Sequence, residues 1–535
     1  MTTDQAQSAK GTGLHTPAGM LRHWASESPD APMFVGDEGT VTWAEMYERA
    51  RRTGRALLAD GIGAGDRVAF LDRNGIEFFE VLFGASLIGA VMVPVNWRLT
   101  PAEMAAIIED ADAPILLFGP DYDGARKEIA AAVAGVRTWV RIDRLHDWRD
   151  RMSGGEVSDP GFHPADDEPA IQLYTSGTTG LPKGAVLSAR NFACILEASD
   201  EIFDVGPDMV SLVAMPLFHI GGTGWALAAL SRGGSAVIVR DLLPAALLGA
   251  IERHRITHAF LVPAVLNLVL SAPEMADADL SSLRIIFYGA SPISDDLLVR
   301  SMSGFGCSFA QVYGLTETTG AITTLLPEDH DPDGPRSRLL RSAGRALGHV
   351  ELRIVDPETG AELPPGQVGE VWTRSDQNMT GYWHKPEESA AVLIEGGWFR
   401  SGDAGWLDEE GYLFLHDRIK DMIVTGGENV YPAEVENALL AHPAVADAAV
   451  IGVPSEQWGE TVKAVVVPVP GAAGSDMSEP ELAAEIISAT RERLAHYKCP
   501  TSIDFVEVLP RNPSGKVLKR ELREPYWEGQ DRKVH

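Results

Sequence analysis

The sequence predicts an α/β protein in which a large domain built on parallel strands is followed by a smaller mixed domain. Three observations carry this. Apolar, strand-like runs alternate with helical patterns over residues 42–288. From about Gly344 the texture changes to short strands separated by turns, and after Asp417-Arg418 helices and strands mix again. Strand–helix–strand alternation implies a parallel sheet covered by helices, because parallel neighbours need a crossover between them.

The bulk properties set outer limits. The 535 residues suggest several lobes, and 45% apolar content is enough for sizeable cores. A net charge of −31, from 45 basic and 76 acidic residues, argues against nucleic acid or an anionic membrane as a general partner. Cys194, Cys307 and Cys499 are far apart and lack metal-ligand spacing, which fits a reducing compartment. Residues 1–13 are polar and no run of about 18 apolar residues occurs, so neither a signal peptide nor a transmembrane helix is expected. The expected location is the cytoplasm.

Taken in order, residues 1–15 read as a disordered tail. Thr42-Trp43-Ala44-Glu45 has capping-box spacing and opens a helix to about Ala59. A strand at 67–71, a helix at 76–88 and a strand at 90–95 form the first β-α-β pattern. The pattern recurs as a helix at 101–110 and strands at 115–118, 235–239, 258–262 and 285–288. Short strands at 350–355, 369–373 and 411–415, parted by Pro364-Pro365-Gly366 and Glu395-Gly396-Gly397, make a small β lobe. Beyond a cut near 418–421 come a helix at 432–440, strands at 446–453 and 462–469, a helix at 479–494 and a strand at 502–508.

The stretch Tyr174-Thr175-Ser176-Gly177-Thr178-Thr179-Gly180-Leu181-Pro182-Lys183-Gly184 lies between two strand-like runs, 170–174 and 184–188. A glycine-rich backbone can turn its N–H groups toward an anion, and hydroxyls and a lysine suit phosphate. The spacing is not that of a Walker A loop. Tyr313-Gly314-Leu315-Thr316-Glu317 offers a ring to stack on a base, a close backbone approach, a hydroxyl and a hard oxygen ligand for Mg²⁺. Asp403 in Ser401-Gly402-Asp403 suits a ribose diol or caps its own turn. Lys420 sits at the domain cut, Gly426-Gly427 is a bare backbone turn, and Arg511-Asn512-Pro513-Ser514-Gly515-Lys516 sets a lysine on a rigid turn or begins a basic tail.

Together, in this order and spacing, these segments resemble the adenylate-forming acyl-CoA synthetase superfamily over about residues 17–527, and bacterial fatty-acyl-CoA ligases most. The resemblance implies a large N-terminal domain, 16–419, of two αβαβα-type layered subdomains plus a distorted β-barrel. It implies a mobile α+β lid, 420–535, hinged at Lys420. It assigns Thr175, Ser176, Gly177, Thr178, Thr179, Gly180 and Lys183 to the ATP phosphates, and Gly289, Ala290, Ser291, Tyr313 and Gly314 to the adenine region. Asp403 and Arg418 would hold the ribose, Thr316 the α-phosphate, and Glu317 with Thr175 the Mg²⁺. Lys516 would bridge carboxylate and α-phosphate, while Gly426 and Gly427 would line the path of coenzyme A. His219, Gly221, Gly222, Thr223, Trp225, Val262 and Gly314 would surround the acid, with His219 gating or orienting its carboxylate.

An amino-acid substrate is disfavoured because no aspartate stands near His219. The implied activity is ATP-dependent ligation of a medium- or long-chain fatty acid to coenzyme A. An aryl or cyclic acid, an enzyme loading a carrier protein, and an inactive nucleotide-binding regulator are the competing readings. A homodimer is left open.

Overall fold

The computed structural model describes residues 16–37, 39–154, 158–175, 182–418, 421–425, 428–455, 458–469, 477–511 and 516–528. The helix Ile76–Ser86 shows how the large domain is layered. Apart from the exposed Glu77 and from Glu80 it is mostly apolar, with Phe78, Phe79, Val81, Leu82 and Phe83 buried, and so apolar a helix must be covered on more than one side. Phe78 meets Phe70 of one sheet with ring centroids 5.4 Å apart. Phe79 meets Phe34 of a second sheet at 4.9 Å. The helix is therefore sandwiched between two sheets.

The first sheet has seven strands, in the order Gly381–Tyr382, Lys183–Ser188, Pro169–Thr175, Val91–Pro94, Arg67–Leu71, Ile115–Phe118, Thr138–Arg141. The second has nine, in the order Arg345–Ala346, Gly320–Leu325, Ser308–Leu315, Ile285–Gly289, His258–Leu261, Val210–Val213, Ser235–Ile238, Pro32–Gly36, Gly39–Thr42. Both have parallel centres, as the alternation predicts; antiparallel pairs end the first on its Gly381–Tyr382 side and the second on both sides. The hairpin Pro32–Gly36/Gly39–Thr42 has no counterpart in the sequence reading; Phe34 pairs in parallel with Ala236, two hundred residues on.

Local signals place several boundaries well. The helix Trp43–Ala59 has the full capping box, Thr42 with Glu45, and Thr100 with Glu103 builds another before Pro101–Asp110. The helix expected to reach Ile88 stops at Ser86, and Gly89 follows at φ 76°. Inside this layer Glu80, 4% exposed, accepts from Arg149 Nη1 and from Thr53 Oγ1, each at 2.9 Å.

The β lobe is an open, curled sheet of five antiparallel strands: Glu351–Val355, Gly369–Arg374, Trp398–Leu407 and Leu393–Ile394 in sequence, with Leu413–Arg418 also on Trp398–Leu407. The C-terminal part has its own five-stranded sheet and its own core around Ile423, Val430, Val435, Val450 and Ile486. Helices Pro432–Leu440, Glu479–Arg491 and Lys519–Trp527 accompany it. The tail 1–15 and the cut at 419–420 lie outside the described residues. No helix among the described residues is long and apolar enough to cross a membrane.

Candidate active site

Strands Pro169–Thr175 and Lys183–Ser188 form the antiparallel hairpin expected around the Ser/Thr/Gly stretch, with Thr175 opposite Lys183. Ser176, Gly177, Thr178, Thr179 and Gly180 lie outside the described residues. The strand bases fix where that stretch starts and returns. Thr175 Oγ1 stands 3.4 Å from Glu317 Oε1. Glu317 belongs to the short turn Thr316–Thr318 that ends the strand Ser308–Leu315, and it is 9% exposed.

The same carboxylate oxygen accepts a hydrogen bond from Tyr382 Oη at 2.9 Å. Tyr382 reaches it because Gly381–Tyr382 adds an antiparallel strand to Lys183–Ser188, pairing with Ala185. Lys183 Nζ lies 5.2 Å from the centre of the Tyr382 ring. Thr175, Lys183, Glu317 and Tyr382 thus converge from three distant stretches of chain. One buried carboxylate flanked by two hydroxyls is a donor set that fits Mg²⁺, which keeps most of its waters and uses few protein ligands. Among the described residues no group of three or more His, Cys, Asp or Glu could hold a metal ion.

Gln377, fully buried, holds the Glu317 turn in place. Its Nε2 donates to Thr318 O at 2.8 Å and to Ala321 O at 2.7 Å. Thr319 Oγ1 donates back to Gln377 O at 2.6 Å, and Met379 N donates to Glu317 O at 2.7 Å. Tyr382 and Gln377 were both absent from the sequence reading. They lie in a stretch with no periodic pattern, and the aromatic pair Tyr382-Trp383 is the one local mark they leave. A second pin holds this stretch: the Arg67 guanidinium lies 3.4 Å from the Trp383 ring centre, and Lys385 Nζ bonds Asp110 Oδ1 at 3.0 Å. Tyr174 Oη donates to Asp110 Oδ2 at 2.7 Å, and burial together with that carboxylate pushes its phenol well up from the usual value.

Tyr313 Oη donates to Asp403 Oδ2 at 2.7 Å. Arg418 is paired in register with Asp403 across the strands Trp398–Leu407 and Leu413–Arg418. Thr316 is half-buried three residues after Tyr313. Gly289 ends its strand beside Val312, Ala290 follows in the left-handed region at φ 64°, and Ser291 is half-buried. Gly314 is required by close packing, since a Cβ there would sit 1.8 Å from Gly320 O on the neighbouring strand.

Beside Gly314 and Ala290 opens a pocket of about 730 Å³, mouth included. It runs along the helix Ile220–Ser231, and its walls include Phe192, Phe203, Trp225 and Phe260. Among the described residues no ionisable side chain lines it, and the one side-chain hydroxyl, Thr319, donates to Gln377 O. Of the residues expected around the acid, Gly221, Trp225 and Gly314 line this pocket. His219, Gly222, Thr223 and Val262 do not. Successive helical residues turn away by about 100°, so Gly222 packs on Pro216, where a Cβ would come within 2.2 Å of the carbonyl oxygen. Thr223 Oγ1 donates to Leu217 O at 2.5 Å. Val262 lies just past the strand His258–Leu261, where Pro263 starts a helix, so Phe260 takes the wall position.

His219 caps the start of the helix Ile220–Ser231, its ring 4.7 Å from that of Phe218. Its Nε2 is buried and has no hydrogen-bond partner among the described residues. Burial, with the Arg98 charge as a smaller cause, pushes the imidazole down to about 4, so it is neutral at pH 7. Lys516 is exposed, next to the bridge between Arg511 and Val517. Lys420, Gly426 and Gly427 lie outside the described residues.

Comparison with known proteins matches the same stretches. The model of the AMP-binding enzyme family matches residues 21–383, and that of the AMP-binding enzyme C-terminal domain matches residues 434–516. A fatty acid–acyl-carrier-protein ligase of Streptomyces coeruleorubidus is 40% identical over 519 residues, covering 96% of both chains. A feruloyl-CoA synthase of an Amycolatopsis species is 38% identical, covering 93% of this chain and 96% of the relative. Among solved structures, a Mycobacterium tuberculosis fatty acyl CoA synthetase superposes with a TM-score of 0.77 at 33% identity, covering 97% of this chain and 100% of the other.

Proposed function

The chain belongs to the AMP-binding enzyme family and is an AMP-forming acid–thiol ligase; within that class we propose that it activates a fatty acid of medium or long chain and transfers the acyl group to coenzyme A. The observation that carries this reading is the pocket beside Gly314: largely apolar, aromatic-walled and, among the described residues, without a charged group for a second polar end of the substrate. It opens next to the Tyr313–Asp403 pair and a few residues from Glu317.

In the first step the carboxylate attacks the α-phosphorus of ATP, and pyrophosphate leaves with the electrons of the broken P–O bond. In the second the coenzyme A thiol, losing its proton, attacks the acyl carbon and AMP departs. We assign Asp403 and Arg418 to the ribose, Tyr313 to the adenine, Thr175 to Lys183 to the leaving phosphates, and Lys516 to the carboxylate and α-phosphate in the first step. Mg²⁺, when bound at Glu317 and Thr175, supplies positive charge to the phosphate oxygens. Tyr382 and Gln377 orient Glu317 for it. Neutral His219, with an unpartnered Nε2 at the helix start, orients the substrate carboxylate as it arrives. AMP is already a good leaving group, so positioning matters more than a strong base in the second step. We place the domain boundary at 419/420, with the C-terminal domain swinging between the steps.

Four aromatic side chains on the pocket wall favour an aryl acid as the second reading. A panel of aliphatic and aryl acids separates the two. With ATP and Mg²⁺, the acid that binds drives pyrophosphate exchange into ATP, and with free coenzyme A it drives AMP release. Fatty acids are expected to give the highest kcat/KM for AMP release. Exchange without CoA-dependent AMP release points to a carrier-protein acceptor, and no exchange with any acid overturns the ligase reading.

A further inference from the structure

Resting on the fatty-acid reading, we propose that the acyl tail lies along the Ile220–Ser231 helix over Gly221 and Gly224, that Ala228 sets how far it reaches, and that its end must be a methyl group. The pocket-lining residues of this helix are Ile220, Gly221, Gly224, Trp225 and Ala228, spacings that share one helical face. Three of them are small, so a shallow track runs from Gly221 to Ala228. The seven steps from Gly221 to Ala228 span about 10 Å at 1.5 Å per residue, which suits a medium-length extended chain.

The track has fixed sides. On one, Phe192, Ile195 and Leu196 project from the helix Ala189–Glu197. On the other, Trp225 is locked: its Nε1 donates to Leu212 O at 3.0 Å, and its ring packs on Phe203 and Phe287 with centroids 5.7 and 5.4 Å away. A locked indole cannot swing aside to lengthen the pocket. One turn past Ala228, Ser231 O accepts from Trp24 Nε1 at 3.2 Å, so the first helix of the chain covers that end.

The pocket's chemistry sets the second requirement. Among the described residues a carboxylate or hydroxyl at the far end of the tail meets no ionisable side chain, and the Thr319 hydroxyl is already donated to Gln377 O. Burying such a group unpaired is costly, and a charged one far more than a hydroxyl.

The test measures acid-dependent pyrophosphate exchange with butanoate, decanoate and decanedioate, for the native chain and for Ala228→Leu. Adding bulk at the end of the track is expected to cut the decanoate-to-butanoate ratio of kcat/KM at least tenfold, in line with about 10–200-fold per methylene-sized change in an apolar pocket. In the native enzyme decanedioate is expected to be at least about a hundredfold poorer than decanoate. The proposal is overturned by an unchanged ratio in an Ala228→Leu protein that melts normally, by decanedioate within tenfold of decanoate, or by turnover of aryl acids alone. The last outcome leaves the ligase reading standing, whereas no exchange with any acid removes both. If Ala228→Leu does not fold, Ala228→Val and the native decanedioate comparison decide the matter.

Discussion

Tyr382 contributes one hydroxyl, 2.9 Å from the Glu317 carboxylate, and nothing in its sequence neighbourhood announces it. Its strand is two residues long, and the partner strand lies almost two hundred residues earlier. Glu317, by contrast, stood out because an acid follows Tyr313-Gly314-Leu315-Thr316 directly. Tyr382→Phe removes the hydrogen bond and keeps the ring, so Mg²⁺ needed for half-maximal pyrophosphate exchange should rise several-fold. The melting temperature should move little, since a hydrogen bond to a charged group contributes about 1.5–3 kcal/mol at most. An unchanged Mg²⁺ requirement would leave Tyr382 as a packing residue.

His219 makes a pH prediction whose sign is set by its burial. Its imidazole falls from the ordinary 6.5 to about 4 in the folded chain, so the unfolded chain takes up the proton first as pH drops. The stability it contributes is fully present above pH 6.5 and is lost progressively toward pH 4. In His219→Gln the fall in melting temperature between pH 7 and 4.5 should be smaller than in the native protein.

At the scale of elements, the sequence was most legible where one helix or strand explains itself. The helix expected at 76–88 and the Thr42–Glu45 capping box needed no partner to be recognised. The pocket along Ile220–Ser231 was half legible. Gly221 to Gly224 read as a run of small residues, yet a helix shows each of them to a different neighbour, and only Gly221 and Gly224 reach the pocket. Glu80 was missed because an acid inside an apolar helix has no sequence-level partner; Arg149 supplies it from sixty-nine residues away. Arg149→Met leaves that carboxylate buried with only Thr53 beside it. Breaking such a pair costs about 3–5 kcal/mol, which urea unfolding should show as a lower midpoint. Adding Glu80→Leu should recover much of the loss.

For the whole molecule, parallel strands covered by helices and a separate C-terminal part follow from the alternation and its breaks, but the division into two sheets and the strand order do not. Nothing local tells the first hairpin to dock beside Ser235–Ile238. The proposed division at 419/420 predicts opposite mutants. Lys516→Ala should slow adenylate formation about a hundredfold or more, a typical loss when an electrostatic stabiliser is removed, while thioester formation from supplied acyl-adenylate changes far less. Lys420→Pro, which fixes φ, should slow the second half-reaction instead. Single-turnover assays of each half-reaction distinguish them, and an equal fall in both would remove the two-position account.

The docking of that first hairpin also fixes a timetable. Phe34 leaves the ribosome about two hundred residues ahead of Ala236, its parallel neighbour. At about 5–20 residues per second of synthesis, the growing chain carries this unpaired, apolar edge for roughly 10–40 s. For that interval, the nascent protein depends on whatever shields a sticky strand until its place in the sheet has been made.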